Sequence, residues 1–110
     1  MQIIANLISN SIDALRGLPI DERWIQITYQ QTSEDQSILI ENGGPQIPKN
    51  IQDKLFQRRF STKGKEGNGL GLYICQKLAR NNKGQLSYVK EASHPTFRLI
   101  TKKSNMDNVA

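Results

Sequence analysis

Two different spacings of hydrophobic residues divide the first half of this chain into a helix and two strands. Within residues 2–16, aliphatic side chains recur at helical spacing, which predicts an amphipathic helix. The residues that form this stripe are Ile4, Leu7, Ile8, Ile12 and Leu15. Residues 24–31 alternate and are rich in β-branched and aromatic side chains, and residues 37–41 form a second apolar run. The polar turn between these runs predicts a β-hairpin.

The middle of the chain predicts a loop, a short helix and a second loop. Residues 41–50 are rich in glycine and proline, which favours irregular structure. Asn50 is positioned to cap a short helix that runs through Gln57. Residues 58–68 then carry four basic side chains and predict a mobile loop.

The last part of the chain predicts a helix and a second hairpin. Helical spacing continues from the end of the basic loop to about Arg80, and Asn81, Asn82 and Gly84 end this helix. Its apolar face holds Leu70, Ile74, Cys75 and Leu78. Residues 85–91 and 96–102 predict two strands, and the tail from Ser104 is expected to fray.

Together these elements predict an α+β domain, a two-layer sandwich in which a mixed, mostly antiparallel sheet is covered on one face by helices. The domain is expected to span residues 1–103, with a flexible tail over 104–110. Because the first helix begins at the chain start without a capping residue, we expect the natural domain to extend further upstream and to be truncated here.

Composition narrows the function without defining it. The chain has 110 residues and a net charge of +5, but no aromatic residues interleave a basic run and no zinc-ligand spacing is present, so nucleic acid is not an expected partner. No apolar run approaches the length of a membrane span, and direct membrane contact is not expected. The single cysteine, Cys75, excludes an internal disulfide and fits a reducing compartment.

A glycine-rich loop before the second long helix is the first candidate for chemistry. Gly67, Gly69 and Gly71 precede the helical segment, and the first amides of a helix lack intrahelical partners. Glycine allows close approach of a ligand, and the helix dipole favours anions, so phosphate is the indicated ligand. A tight turn without ligand is the alternative explanation.

Three polar residues on the first helix are the second candidate. Asn6, Asn10 and Asp13 fall within an arc of roughly 60° beside the apolar stripe. They are either a solvated edge of the helix or the polar wall of a ligand site. An asparagine oxygen can join the ligand shell of a phosphate-bound Mg²⁺.

Four motifs follow one another along the chain: ANLISNSIDAL, IENGGPQIP, KLFQRRFSTK and GNGLGLYIC. In this order they resemble the N, G1, F and G2 boxes of a known family, the ATP-binding catalytic domains of sensor histidine kinases within the gyrase, chaperone, kinase and MutL superfamily. The resemblance implies the Bergerat-type ATP-binding fold, with ATP and Mg²⁺ as ligands. It covers nearly the whole chain.

The resemblance also implies roles for individual residues. Asn10 matches the asparagine that holds Mg²⁺, while Asn6 faces the γ-phosphate and Lys63 of the ATP lid neutralises phosphate charge; Asn6 and Lys63 are thus the implied catalytic residues. The implied nucleotide site consists of Asn10, Asp13, Asn42, Gly44, Ile47, Thr62, Lys63, Gly67, Gly69, Leu70, Gly71, Leu72 and Thr96.

The part of the resemblance that concerns adenine departs from the family pattern. Asn42 falls where the family has an aspartate that accepts a hydrogen bond from the adenine amino group; an alternative register would use Glu41. Gln46 replaces a glycine, and Pro95 stands where threonine is common, with Thr96 next to it. If the Asn42 amide oxygen accepts in place of a carboxylate, roughly tenfold weaker binding is expected.

The implied function is the catalytic domain of a cytoplasmic, bacterial two-component sensor kinase. Its expected partners are ATP or ADP, a histidine on a separate dimerisation domain and the receiver domain of a response regulator; the isolated domain is expected to be monomeric and unable to autophosphorylate. His94, the sole histidine, precedes Pro95 in a predicted turn and is not a candidate acceptor. The alternatives are a degenerate module acting through protein contacts and a gyrase-type hydrolase or serine kinase, which usually carries glutamate where this chain has Asn6.

Overall fold

The computed structural model describes residues 2–57 and 71–103, which contain three α-helices and four strands. In chain order these are helix α1 (Gln2–Leu15), a 3₁₀ turn (Ile20–Glu22), strands β1 (Ile25–Gln31) and β2 (Asp35–Asn42), helices α2 (Lys49–Gln52) and α3 (Gly71–Asn81), and strands β3 (Gln85–Tyr88) and β4 (Thr96–Lys102). The expected basic loop and the expected tail from Ser104 lie outside the described residues.

The four strands form one sheet in the order β1-β2-β4-β3, and every neighbouring pair among them is antiparallel. The register sets Ile40 opposite Phe97 and Leu86 opposite Leu99. Directly opposed residues share a face of the sheet, so these side chains form one apolar surface. The predicted α+β fold with a mostly antiparallel sheet is confirmed.

One face of the sheet packs against α1 and α3. Its apolar side chains form a single cluster with buried residues of the two helices, namely Ile3, Leu7, Cys75 and Ala79. Leu99, Cys75 and Ala79 are the completely buried members of this cluster. No helix of the described ranges is both long and apolar enough to cross a membrane.

Helix α1 is rotated relative to the predicted stripe. Its buried positions are Ile3, Leu7, Ser11 and Leu15, which follow one another at intervals of four residues. Ile12 was predicted to face the core but is 48% exposed, because it lies about 120° around the helix from the middle of the buried row. Ser11 is buried without leaving its hydroxyl unpaired, since the hydroxyl donates to the Leu7 carbonyl at 3.0 Å.

Two element boundaries differ from the sequence-based expectation for local reasons. Helix α2 begins after Pro48, not after Asn50, and ends at Gln52 instead of Gln57. The Pro48 carbonyl accepts from the amides of both Ile51 and Gln52, so proline starts the helix without side-chain capping.

The two hairpins also differ in length from their predictions. Strand β2 begins at Asp35, two residues earlier than expected, because the Thr32 hydroxyl accepts from the Asp35 amide at 3.0 Å and tightens the turn. Strand β3 ends at Tyr88, three residues before the predicted end, since the chain turns again at Val89, whose carbonyl accepts from the Ala92 amide.

Helix α3 ends in a Schellman motif whose left-handed residue is a lysine. Lys83 has φ of 61° and is the only non-glycine residue of the described ranges with positive φ. The Gly84 amide donates to the Ala79 carbonyl at 2.7 Å, and the Lys83 amide donates to the Arg80 carbonyl at 3.0 Å. Gly84 is required for another reason: a Cβ there would lie 2.8 Å from the Ile100 carbonyl oxygen.

The strain at Lys83 predicts that Lys83→Gly stabilises the domain. Glycine adopts the left-handed conformation without a steric penalty, and after its larger unfolded-state entropy is subtracted the gain should be about 0.5–1 kcal/mol. Urea unfolding measures it. The matched control is Lys77→Gly, on the exposed face of α3, which should destabilise by a similar amount. Destabilisation by both substitutions would contradict the assigned backbone conformation.

Candidate functional site

The polar residues of α1 form an edge beside the buried row, and this edge reaches α3. Asn6, Asn10 and Asp13 are each partly buried. The Asn6 amide nitrogen lies 3.6 Å from Cys75 Sγ, which is four residues, about one helical turn, after the first residue of α3. Asn6, a residue that the motifs predict to be in the site, therefore lies next to the N-terminal part of the helix that follows the glycine-rich stretch of the sequence.

Cys75 ties these two helices together as a structural thiol. Its thiol donates to the Ile3 carbonyl oxygen at 3.9 Å, and its sulfur accepts from the Asn6 side-chain amide. Burial raises the pKa of Cys75 above its ordinary value, and the Asn6 contact opposes that rise. The sequence-based interpretation of Cys75 as a small core residue fits this environment.

The other end of α1 lies against the loop that follows β2. A Cβ at Gly44 would lie 3.8 Å from the Ala14 carbonyl oxygen of α1 and 2.8 Å from Asn42 Oδ1. Gly44 is buried, so only a residue without a side chain fits here without a shift. Asn10 and Asp13 therefore lie on a helix that spans from the start of α3 to the end of β2.

Asn42 is the last residue of β2 and is only 4% exposed. Its side-chain oxygen accepts a hydrogen bond from the Gly44 amide at 2.8 Å, and its backbone amide donates to the Pro95 carbonyl at 3.2 Å. The side chain thus turns toward Gly44 and the C-terminal turn of α1. This places the two predicted residues Asn42 and Gly44 in direct contact.

A histidine and a tryptophan hold the loop after β2 from its other side. His94 Nδ1 lies 2.9 Å from the Gly44 carbonyl oxygen, and because a carbonyl only accepts, Nδ1 carries the proton in this contact. The ring packs edge-to-face on Trp24 with centroids 5.1 Å apart. The Trp24 carbonyl in turn accepts from the Gly43 amide at 3.0 Å. Sequence reasoning misses this role of His94, because its partner is 50 positions away.

The side chain of Gln46, the second departure from the family pattern, contacts strand β3 of the sheet. Its side-chain oxygen accepts from the Tyr88 hydroxyl and from the Ile47 amide, and its nitrogen donates to the Ala92 carbonyl. Both the oxygen and the nitrogen of a side chain that replaces glycine are therefore hydrogen-bonded, to β3, to the neighbouring Ile47 amide and to the turn after β3. No local signal in the sequence indicates this pairing, because Gln46 and Tyr88 are far apart in the chain.

The remaining predicted residues fall into three groups. Gly71 and Leu72 begin α3, and Ile47 packs on the core. Thr96 pairs with Glu41, so its side chain lies on the opposite face of the sheet from that of Asn42, and its hydroxyl donates to the His94 carbonyl at 2.9 Å. The geometry does not bring Thr96 together with Asn42. Five predicted residues lie outside the described ranges: Thr62, Lys63, Gly67, Gly69 and Leu70.

Comparison with known proteins identifies the family. The family described as histidine kinase-, DNA gyrase B- and HSP90-like ATPases matches residues 1–105, almost the entire chain. The chain belongs to this family. The resemblance drawn from the four motifs is confirmed, and the domain is an ATP-binding catalytic domain of the sensor histidine kinase type.

Relatives of this histidine-kinase-type ATPase domain are sensor kinases. The adaptive-response sensory kinase SasA of Gloeothece citriformis is 35% identical over 88 residues, covering 77% of this chain and 22% of that protein. A probable C4-dicarboxylate sensor kinase of Halalkalibacterium halodurans is 28% identical over 89 residues, covering 81% and 17%. The chain therefore spans about a fifth of the length of these curated relatives.

A solved structure has the same fold. The nucleotide-free catalytic domain of histidine kinase ThkA superposes with a TM-score of 0.76 at 29% identity, covering 93% of this chain and 65% of that one. ThkA has also been solved in complex with the response regulator protein TrrA. The mycobacterial sensor histidine kinase MprB, at 20% identity and a TM-score of 0.75, shares the fold.

The contact between Tyr88 and Gln46 predicts a pH-dependent stability. Burial raises the pKa of the Tyr88 hydroxyl above its ordinary value, while the Ile47 contact opposes that rise. The stability that neutral Tyr88 contributes is fully present below about pH 10, the pKa in the unfolded chain, and is lost as pH rises through the raised value. Tyr88→Phe should therefore make the loss of stability above pH 10 less steep.

Chemical unfolding at pH 8 and at pH 11 measures this difference. At pH 8, Tyr88→Phe should destabilise by about 1–2 kcal/mol, because the Gln46 oxygen loses one of its two donors. The control Tyr29→Phe removes a hydroxyl from a residue that is 52% exposed. It should leave the free energy of unfolding unchanged at both pH values. If the free energy of unfolding falls equally between pH 8 and pH 11 in the wild type and in Tyr88→Phe, Tyr88 is not the group responsible for the pH dependence.

Proposed function

We propose that this domain binds Mg²⁺–ATP along the polar edge of α1 and presents the γ-phosphate to a histidine on a separate dimerisation domain. The observation that carries the proposal is the position of α1, whose Asn6 contacts α3 and whose Ala14 lies over Gly44. An extended ligand with phosphates at one end and a base at the other matches this arrangement. Membership of an ATPase family with sensor-kinase relatives supports it.

The start of α3 would bind the phosphates. The amides of Gly71 and Leu72 belong to the first turn, so they have no intrahelical partner and lie at the positive end of the helix dipole. Among residues 2–57 and 71–103, no atom would lie within 4 Å of a Cβ at Gly71. Gly67, Gly69 and Leu70 complete the phosphate-binding turn in this proposal, with Thr62 and Lys63 closing over the nucleotide.

Mg²⁺ fits the donors that α1 presents. Asn10 would hold the ion through its amide oxygen, because Mg²⁺ prefers oxygen ligands and keeps several waters beside the phosphates. The ion would supply neutralisation of phosphate charge. Asn6 would position the γ-phosphate, since phosphoryl transfer depends mainly on alignment and charge compensation.

The acceptor histidine and the final partner would be supplied by other domains. His94 is held between the Gly44 carbonyl and the Trp24 ring, so it is not presented as an acceptor. The complex of ThkA with its response regulator supports a receiver domain as the partner of this chain's parent protein. We place the domain, as a monomer, in the bacterial cytoplasm.

The metal role of Asn10 predicts that Asn10→Ala weakens nucleotide binding only when Mg²⁺ is present. Loss of one ligand to a charged group should weaken Mg²⁺–ATP binding about tenfold or more. Calorimetric titration with and without EDTA measures both affinities. Ser9→Ala, on the exposed side of the same helix, is the control and should bind like wild type. Equal Mg²⁺-dependent affinity in Asn10→Ala would remove Asn10 from the site.

The separation of acceptor and nucleotide predicts transfer in trans. Incubated with radiolabelled ATP, the isolated chain should acquire no acid-labile label, whereas an added histidine-bearing dimerisation domain from the parent kinase should become labelled. His94→Ala serves as the control for stray labelling. Acid-labile label on the wild-type chain that disappears in His94→Ala would contradict the proposal.

A degenerate module that acts through protein contacts is the second candidate function. It is favoured by the internal hydrogen bonds of Asn42 and Gln46, which occupy side-chain atoms at the base end of the site. Such a module would bind neither ATP nor ADP at millimolar concentration. The calorimetric titration of the wild-type chain therefore separates the two candidates.

A further inference from the structure

The side-chain amide of Asn42 uses only one of its two hydrogen-bonding groups. Oδ1 accepts from the Gly44 amide at 2.8 Å, but Nδ2 has no acceptor within the described part of the chain. None of the fully buried side-chain nitrogen or oxygen atoms there lacks a partner, so Nδ2 of this 4%-exposed residue must touch solvent. A nearly buried donor thus keeps a hydrogen-bonding capacity that no described residue uses.

The orientation of this amide is set by chemistry. The Gly44 N–H is a donor, so it requires the oxygen of Asn42 opposite it; exchanging oxygen and nitrogen would set two donors against each other. Gly44 itself is held by the His94 contact to its carbonyl and by its closeness to the Ala14 carbonyl. The loop therefore fixes Asn42 with its NH₂ group as the one presented to a ligand.

The open NH₂ group lies at the base end of the proposed nucleotide site. The phosphates are assigned to the start of α3, beside Asn6, and Asn42 lies at the other end of α1, beside Gly44. From Asn6 to Ala14 the helix rises about 12 Å, so the two ends are well separated. The inference below rests on this proposed function.

We propose that Asn42 selects purine nucleotides that carry a carbonyl group at position 6 of the base. The 6-amino group of adenine only donates hydrogen bonds and would face another donor, Asn42 Nδ2. The 6-oxo group of hypoxanthine or guanine accepts, and it would pair with this NH₂ group. ATP still binds through its phosphates and Mg²⁺, but ITP and GTP bind more tightly.

Calorimetric titration with Mg²⁺–ATP and Mg²⁺–ITP tests this proposal, because the two bases differ at position 6. The wild-type chain should bind ITP about fivefold or more tightly than ATP, the range of one neutral hydrogen bond. Asn42→Asp should reverse the order, because a carboxylate keeps the Gly44 contact and offers an acceptor to the adenine amino group. Asn50→Asp, an exposed residue of α2, introduces the same charge and should keep the wild-type preference.

The other possible results of the titrations contradict different parts of the proposal. ATP binding as tightly as ITP, or more tightly, overturns the selectivity and leaves the proposed function standing. A preference for ITP that persists in Asn42→Asp overturns the role of Asn42. Absence of binding by both nucleotides overturns the proposed function, and the selectivity with it.

Discussion

The burial of one row of α1 against the sheet is the constraint on which the rest of this structure depends. Ile3, Leu7, Ser11 and Leu15 form that row, and together they fix the rotation of the helix. Fully burying an aliphatic side chain contributes about 1.5–3 kcal/mol, so turning the helix by even one residue would be strongly unfavourable. With the rotation fixed, Asn6, Asn10 and Asp13 are held at the border of the core, along the edge where we propose that the nucleotide binds.

The loop after β2 is kept rigid by hydrogen bonds that begin in distant parts of the chain. Gly43 bonds to Trp24, Gly44 to His94, and Gln46 to Tyr88. Each bond contributes only about 0.5–1.5 kcal/mol, but together they connect the loop to β3, to the turn before β4 and to the residue before β1. A loop held at several points presents its polar groups in one arrangement, which lowers the entropy lost when a ligand binds.

The sequence predicts the elements and the motifs well, because both are local. The period of α1, the alternation in β1 and each of the four family motifs lie within short windows. The exposure of Ile12 could not be predicted in this way, since it depends on which of two neighbouring rows faces the sheet. The left-handed conformation of Lys83 could not be predicted either. Glycine favours this conformation, but the nearby glycine, Gly84, stands one position later, where the Ile100 carbonyl leaves no room for a side chain.

The contacts of the side chains in the candidate site could not be predicted from the sequence either. The family motif predicts that residue 42 lies in the site, but the direction of its amide follows from the Gly44 N–H in the folded loop. Likewise, Thr96 is adjacent in sequence to the expected position, yet one residue along a strand moves a side chain to the other face. Such features arise from tertiary contacts, which no short window of sequence contains.

The central claim is that α1 forms a single ligand site joining the start of α3 to the end of β2. Two-dimensional ¹⁵N NMR of the chain, titrated with Mg²⁺–ADP, tests it directly. The account predicts simultaneous shifts of the side-chain amides of Asn10 and Asn42 and of the Gly44 and Gly71 backbone amides, with Thr28 and Arg98 on the opposite face of the sheet unmoved. Shifts confined to one end of α1, or largest at Thr28 and Arg98, would contradict it.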